Sequence, residues 1–379
     1  MKVLINTSTL YFGGGVQVAL SFIGELVGID TSNEYHILMS KAIEKQIDKS
    51  IFPSGIYFYL IEKSPASLKT RYQIINLLDN IENKIKPDVV FTVFGPSYWR
   101  PKSKHLIGFA DGWLYNPNSI AYARLSIIKR LKMKLLIKYK KYYLKRDADK
   151  YVLETDDAKN KFANIANIVN NKIYVVGNTY SAVFNDKQYQ DKENKYYIEL
   201  PKRDENEFRF MYIAHNHPSK NLAIINDIIP LLENVNIKFI LTIDNDSYTE
   251  MFKHNARIIN IGPIEHKSCP SIYKQCDALF APTLLETFSA AYPESMIMNK
   301  PILTSKYSFA TETCKEAALY FDPLNPQDIA DKIKDIVNSV SLREELINKG
   351  KNRIFEFETA KSRAIKYIDI CQKIVKEKV

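Results

Sequence analysis

Two α/β domains, each a parallel sheet covered by helices, are what this sequence predicts, and three observations predict them. Short apolar runs alternate with longer helical stretches, the pattern of repeated strand and helix units. The chain has 379 residues, the length of two ordinary domains. A polar stretch at residues 185–207 (NDKQYQDKENKYYIELPKRDENE) interrupts the alternation, which restarts after it.

Taken in order, the first strand is Lys2 to Asn6, followed by the loop Gly13-Gly14-Gly15 and an apolar helical run from Val16 to Val27. Further strands are expected at Tyr35 to Met39, Ile56 to Ile61, Val89 to Val93 and His105 to Phe109. Beyond the polar stretch come Phe208 to Ala214, Lys238 to Ile243, Ile258 to Gly262, Ala278 to Ala281, Pro301 to Thr304 and Leu319 to Phe321. Three helices close the pattern, at Pro326 to Asn338, Leu342 to Phe355 and Ala360 to Lys376. The expected division is a first domain over 1–184, a linker over 185–207 and a second domain over 208–358. A terminal helix over 359–379 is expected to pack back toward the first domain.

Composition narrows the class. With 46% hydrophobic and 25% charged residues the chain is neither disordered nor a small stapled domain. No run approaches the roughly 20 apolar residues that span a bilayer, and the mean hydropathy is -0.25. The opening MKVLINTSTLYFGGG turns polar too soon for a secretory signal. Cys269, Cys276, Cys314 and Cys371 show no C-x-x-C spacing, which argues against a zinc site or a disulfide framework and for a cytoplasmic location. The net charge of +10 is unevenly spread: residues 1–180 carry 26 basic and 15 acidic side chains, residues 181–379 carry 27 and 28.

Ligands of open parallel sheets sit beyond the carboxyl ends of the strands, so chemistry is sought in the loops that follow them. The most informative is ALFAPTLLETFSAAYPESMIMNKPILTS, in which a strand ending near Ala281 leads into a loop with Glu286. A helix expected from about Pro293 then carries Glu294 in its first turn. Two carboxylates eight positions apart meet at one strand-to-helix mouth.

This passage resembles the paired-glutamate motif of retaining glycosyltransferases of family 4, which have the GT-B architecture of two Rossmann-like domains facing a central cleft. The likeness continues through Lys300-Pro301-Ile302-Leu303-Thr304 and Ala317-Ala318-Leu319-Tyr320-Phe321-Asp322-Pro323, and Leu285-Glu286-Thr287-Phe288-Ser289 is similar to the form found in enzymes of bacterial surface polysaccharide and O-antigen synthesis. The resemblance implies that Glu294 holds the ribose hydroxyls of a nucleotide diphosphate sugar. A carboxylate suits a vicinal diol because it accepts two hydrogen bonds. It places Glu286 against the donor sugar, with the backbone N–H groups of Thr287, Phe288 and Ser289 lining sugar and phosphate. Thr287 and Ser289 stand where the commoner motif has glycines.

In Met211-Tyr212-Ile213-Ala214-His215-Asn216-His217-Pro218-Ser219-Lys220-Asn221, Lys220 matches the family's diphosphate-binding lysine and His215 occupies the position of its arginine. A cation is needed there because the leaving diphosphate gathers negative charge as the glycosidic bond breaks. In the first half, Gly13-Gly14-Gly15 does not meet G-x-G-x-x-G, but it resembles the family's first loop and places Gly14 and Gly15 near donor phosphate. Phe109-Ala110-Asp111-Gly112-Trp113 follows a strand, and Asp111 is the residue assigned to the cleft, Ala110 standing where the family often has His.

Lys129 to Arg146 (KRLKMKLLIKYKKYYLKR) holds nine basic residues and no acidic one. On a helix Ile128, Leu131, Leu135 and Tyr139 share a face with several Lys opposite. Either that face is buried, with snorkelling lysines, or it docks on the anionic inner face of the cytoplasmic membrane. No nucleic-acid motif accompanies the charge. Asp244-Asn245-Asp246 and Asp147-Ala148-Asp149 have D-x-D spacing, read as solvated turns, so no metal ligand is assigned and no cofactor is expected beyond the donor itself. The expected activity is retaining transfer of a sugar from a UDP- or GDP-sugar to a lipid-linked or saccharide acceptor. The rivals are a nucleotide-sugar epimerase of the same fold, or an inactive nucleotide-sugar-binding homologue.

Overall fold

Seven parallel strands build the first sheet: β1 (Lys2–Asn6), β2 (Glu34–Met39), β3 (Ile56–Leu60), β4 (Val89–Thr92), β5 (Lys104–Gly108), β6 (Lys150–Leu153) and β7 (Ile173–Val175), in the order β3-β2-β1-β4-β5-β6-β7. Six more form a second: β8 (Phe208–Tyr212), β9 (Ile237–Leu241), β10 (Ile258–Asn260), β11 (Ala278–Ala281), β12 (Ile302–Ser305) and β13 (Ala318–Phe321), in the order β10-β9-β8-β11-β12-β13. Every pairing is parallel. The structure, a computed structural model, describes residues 1–29 and 32–377. It has the two-domain α/β architecture of GT-B proteins.

The central strands are apolar on both faces, as a sheet covered by helices on both sides requires. All four residues of β4 and of β11 are buried. The edge strand β3 is only partly covered. Around β1 and β4 the helices close by periodicity: Ala364, Tyr367, Ile368, Cys371 and Ile374 form one stripe of the helix Ala360–Lys376. They fill the core that holds Val3, Ile5, Phe22 and Phe91. Phe22 meets Phe91 and Tyr367 edge-on, at centroid distances of 5.6 and 5.3 Å. Gly108 ends β5 where a Cβ would lie 1.9 Å from the carbonyl oxygen of Val93, so any side chain there would push the β4 end aside.

Both strand orders reverse once. Successive strands run outward from β1 to β3, then the chain returns to place β4 on the other side of β1; β8 and β11 repeat this in the second sheet. Loops leaving the two strands at a reversal part in opposite directions and open a crevice. The loops after β8 and β11 carry Lys220 and Glu286.

The structure divides the chain differently from the sequence reading. One compact unit comprises Met1–Pro117, Ile127–Asn178 and the segment from Glu358; the other comprises Asn118–Ser126 and Thr179–Phe357. The stretch read as a linker is pinned to the second unit. The Ile198 N–H donates to Ser271 Oγ, Leu200 N–H to Gln275 Oε1, and Arg203 pairs with Asp277 at 2.9 Å. Polar composition misled there because the segment is held by side chains rather than by a ladder. Residues 118–126 join the second unit through a turn, Ile120–Arg124, packed against the turn Pro218–Lys220.

The basic helix, Ile127–Asp147, also differs. It turns Leu144 and Ile137 into the core beside Phe109 and Tyr151. Ile128, Leu131 and Leu135 are 67%, 58% and 67% exposed, which removes the reading in which they form the buried face. Lysines are interleaved with that apolar stripe.

Candidate active site

Tyr212 ends β8, and after it the chain turns through His215 and His217 into the short turn Pro218–Lys220. His217 caps this turn, its Nδ1 accepting from the Ser219 N–H, and Asn221 closes it at φ 53°. The loop after β11 is bound to it directly, because the Leu284 N–H donates to the Ser219 carbonyl at 2.7 Å. That backbone bond sets Lys220 beside Glu286, with Nζ 2.5 Å from Oε2.

The pair is partly buried, and its electrostatics follow. Burial works against the Lys220 ammonium, but the charge of Glu286 and the hydrogen bonds the ammonium donates to Glu286 and Tyr212 outweigh it and raise the lysine above its ordinary value. The buried Tyr212 hydroxyl bonds Thr283 Oγ1, and burial raises it. His217 moves the other way, lowered first by burial and then by Lys220. Lys220 is therefore a fixed positive charge across the physiological range. His215 is exposed and makes no hydrogen bond or ion pair among the described residues.

Past Glu286 the loop continues through Thr287, Phe288 and Ser289 to the seven-residue helix Ala291–Ile297, which starts two residues before the expected Pro293. None of the three loop residues has a positive φ, so Thr287 and Ser289 need no glycine's freedom. The Phe288 ring rests edge-on against Phe357, 6.2 Å away. Among the described residues the backbone N–H groups of Phe288 and Ser289 donate to nothing, which leaves two donors beside the pair.

Glu294 stands in the first turn of that helix. Its Oε2 accepts from the Tyr273 hydroxyl at 3.1 Å, and His266 Nε2 lies 3.9 Å from Oε1. Phe184 packs against both rings, at 5.3 Å from Tyr273 and 6.0 Å from His266. Sequence reasoning missed Tyr273, His266 and Tyr212. Tyr273 lies on an apolar helix face and reads as core, and nothing in the spacing reports its contact with Glu294.

The remaining candidates belong to the first unit. Gly13 has φ 76° and precedes the helix Gly14–Glu25, which has no side-chain cap, so the Gly14 and Gly15 N–H groups open its first turn. Asp111 caps the helix Gly112–Tyr115: Oδ1 accepts from the N–H groups of Trp113 and Leu114, and Oδ2 from Lys140 at 2.7 Å. Asp244 likewise caps the helix Asn245–Phe252, while Asp147 and Asp149 pair with Arg146 and Arg100. Among the described residues no three His, Cys, Asp or Glu side chains gather as metal ligands, and the four cysteines are free thiols.

Comparison with known proteins bears on the part of the chain that carries this loop cation and the two carboxylates. Residues 198–353 match the family Glycosyl transferases group 1. The match covers 156 of the 379 residues. All six strands of the second sheet and both glutamates lie inside it. No curated protein matches the sequence. Among solved structures, a glycosyltransferase from Rickettsia africae is 17% identical with a TM-score of 0.72, covering 100% of this chain and 99% of that one. WaaG, a glycosyltransferase involved in lipopolysaccharide biosynthesis, is 11% identical at 0.72, over 98% and 99%. HepE from Anabaena, in complex with UDP and glucose, is 12% identical at 0.70, over 98% and 100%. At these identities the likeness is one of fold, and no helix among the described residues is long and apolar enough to cross a membrane.

Proposed function

We propose that the protein transfers a sugar, with retention at the anomeric carbon, from a UDP- or GDP-sugar to a lipid-linked or saccharide acceptor in the building of bacterial surface polysaccharide. The observation that carries this is the Lys220–Glu286 pair at the β8/β11 reversal of a group 1 domain. Glu294, already oriented by Tyr273, takes the ribose diol. Lys220 and the free N–H groups of Phe288 and Ser289 meet the diphosphate and the sugar; His215 adds a hydrogen bond.

The bond between the anomeric carbon and the diphosphate oxygen breaks with its electrons passing to that oxygen. The acceptor hydroxyl forms the new bond on the same face and gives its proton to the departing phosphate. The anomeric centre passes through an oxocarbenium-like state, and Lys220 stabilises the charge that appears on the leaving group. Glu286 sets the lysine's position and charge and faces the sugar. The first unit is assigned the acceptor, with Asp111 as a catalytic contact, and its Gly14-Gly15 turn is assigned to the donor phosphate.

Membrane attachment belongs to this reading. The exposed Ile128, Leu131 and Leu135, set among lysines, suit the interface of an anionic leaflet, each nearby basic residue adding about 1 kcal/mol. The likeness in fold to WaaG, a glycosyltransferase involved in lipopolysaccharide biosynthesis, supports a surface-polysaccharide role. The deciding experiment is calorimetric titration with UDP and GDP, followed by an assay of transfer from nucleotide sugars. A Glu294→Ala protein that binds and turns over donor as well as the wild type would falsify the assignment.

A further inference from the structure

At the amino ends of the second sheet's strands, opposite to Lys220 and Glu286, lies a cavity of about 890 Å³. Phe208 at the start of β8, Lys300 just before β12 and Arg343 from the helix Val340–Ile354 line it. The volume is within the range of small-molecule sites.

Among the described residues, Lys300, Arg343 and the exposed Glu344 are the charged lining residues without an ion pair, while Lys334 pairs with Asp331. Asp277 is taken by Arg203 and by the Arg209 N–H, and Glu207 by the buried Arg209. Lys300 makes no hydrogen bond or ion pair through its ammonium among the described residues. Burial pulls this lysine below its ordinary value, with Asp277 and Cys276 acting the other way. Its side chain is partly covered and its ammonium, which has no acceptor among the described residues, is free to meet an arriving anion. Arg343 spends one guanidinium nitrogen on the carbonyls of Ile336 and Val337, and its carbon lies 5.6 Å from the centre of the Phe208 ring. That leaves its other nitrogens for a ligand in the planar fork that suits phosphate oxygens. Around the rim the amides of Asn206, Asn234 and Asn338 make no hydrogen bond within the protein. They can both donate to and accept from hydroxyl groups.

We infer that this cavity binds a phosphorylated sugar, its phosphate between Lys300 and Arg343 and its hydroxyls toward the asparagine rim. The site is separate from the donor residues, and the inference does not rest on the proposed transfer reaction.

The test is thermal-shift and calorimetric titration of the full chain with glucose 6-phosphate, inorganic phosphate and glucose. Glucose 6-phosphate is expected to raise Tm and to bind about tenfold tighter than inorganic phosphate, with glucose alone silent. Lys300→Met keeps the stem and removes the unpaired charge, so it should fold with an unchanged or higher Tm and lose the phosphate response. Arg343→Lys, which keeps the charge and loses the fork, should weaken it about tenfold. Lys220→Ala should leave it intact. The inference is overturned if the wild type shows no response, if inorganic phosphate binds as tightly as the sugar phosphate, if Lys300→Met binds like the wild type, or if Lys220→Ala abolishes binding.

Discussion

Tyr273 donates its hydroxyl hydrogen to Glu294 Oε2 at 3.1 Å, from a ring that is fully buried. Burial, followed by the charge of Glu294, holds the phenol well above its ordinary value, so it stays a donor at every working pH. One carboxylate oxygen is thereby fixed by the fold, while the other has His266 Nε2 3.9 Å away. Tyr273→Phe removes the donor without emptying the core. Affinity for the donor nucleotide should fall about threefold to tenfold with little change in Tm, measured by calorimetric titration.

Replacing Lys220 by Ala leaves Glu286 unpaired and the leaving group without its cation. Transfer should slow by about 100-fold to 1000-fold at saturating donor, read in a radiolabelled-sugar assay. A drop confined to KM would mean that the lysine serves binding alone.

Asp111 is tested by a substitution that separates its two duties. Asn is as good a helix cap as Asp, so Asp111→Asn should keep the Trp113 and Leu114 hydrogen bonds and lose only the charge facing Lys140. A catalytic Asp111 would show reduced turnover at unchanged Tm. Unaltered turnover would leave it a cap.

The stripe on the basic helix gives a binding experiment. Leu131→Asp with Leu135→Asp changes exposed positions, so the fold should be retained. Sedimentation with vesicles containing phosphatidylglycerol should retain the wild type, fail with pure phosphatidylcholine, weaken in salt and be lost in the double variant. Equal retention of both proteins would refute the membrane role of this face.

His105 supplies a pH dependence of stability. Its Nδ1–H donates to the Asp147 carbonyl and its Nε2 accepts from Thr92 Oγ1, both at 2.8 Å, within a site sealed from solvent. Burial, opposed only in part by the Asp147 hydrogen bond, lowers its pKa to about 4. Between pH 6.5 and about 4 the unfolded chain binds a proton that the folded chain refuses, so stability falls as pH falls through that window. The loss is about 3 kcal/mol at the lower end, measurable by urea unfolding and reduced in His105→Gln.

Much of this fold is legible in the sequence, because apolar periodicity and caps are local. The helices Pro326–Asn338 and Ala360–Lys376 have the expected ends, since Asn325 with Pro326 and Thr359 cap them. The nearness of Glu286 to Lys220 is legible because loops after strands at a reversal must lie near one another. What is missing depends on pairings distant in sequence. Lys140 reaches Asp111 across 29 positions, and Tyr273 reaches Glu294 across 21. The basic helix has apolar residues on two faces, and only packing decides that Ile137 and Leu144 go inward.

The return of the chain to its first unit bears on synthesis. Residues 364, 367, 368, 371 and 374 occupy the same core as Val3 and Phe22, so the cover that Gly14–Glu25 gives this face of β1 and β4 stays incomplete until the ribosome has released a segment more than 250 residues downstream of β4. The second unit, apart from Asn118–Ser126, is continuous from Thr179 to Phe357 and is complete before that helix is made. Its folding precedes completion of the first. Deleting Ala360–Lys376 would therefore damage the first sheet, whose strands are synthesised long before it.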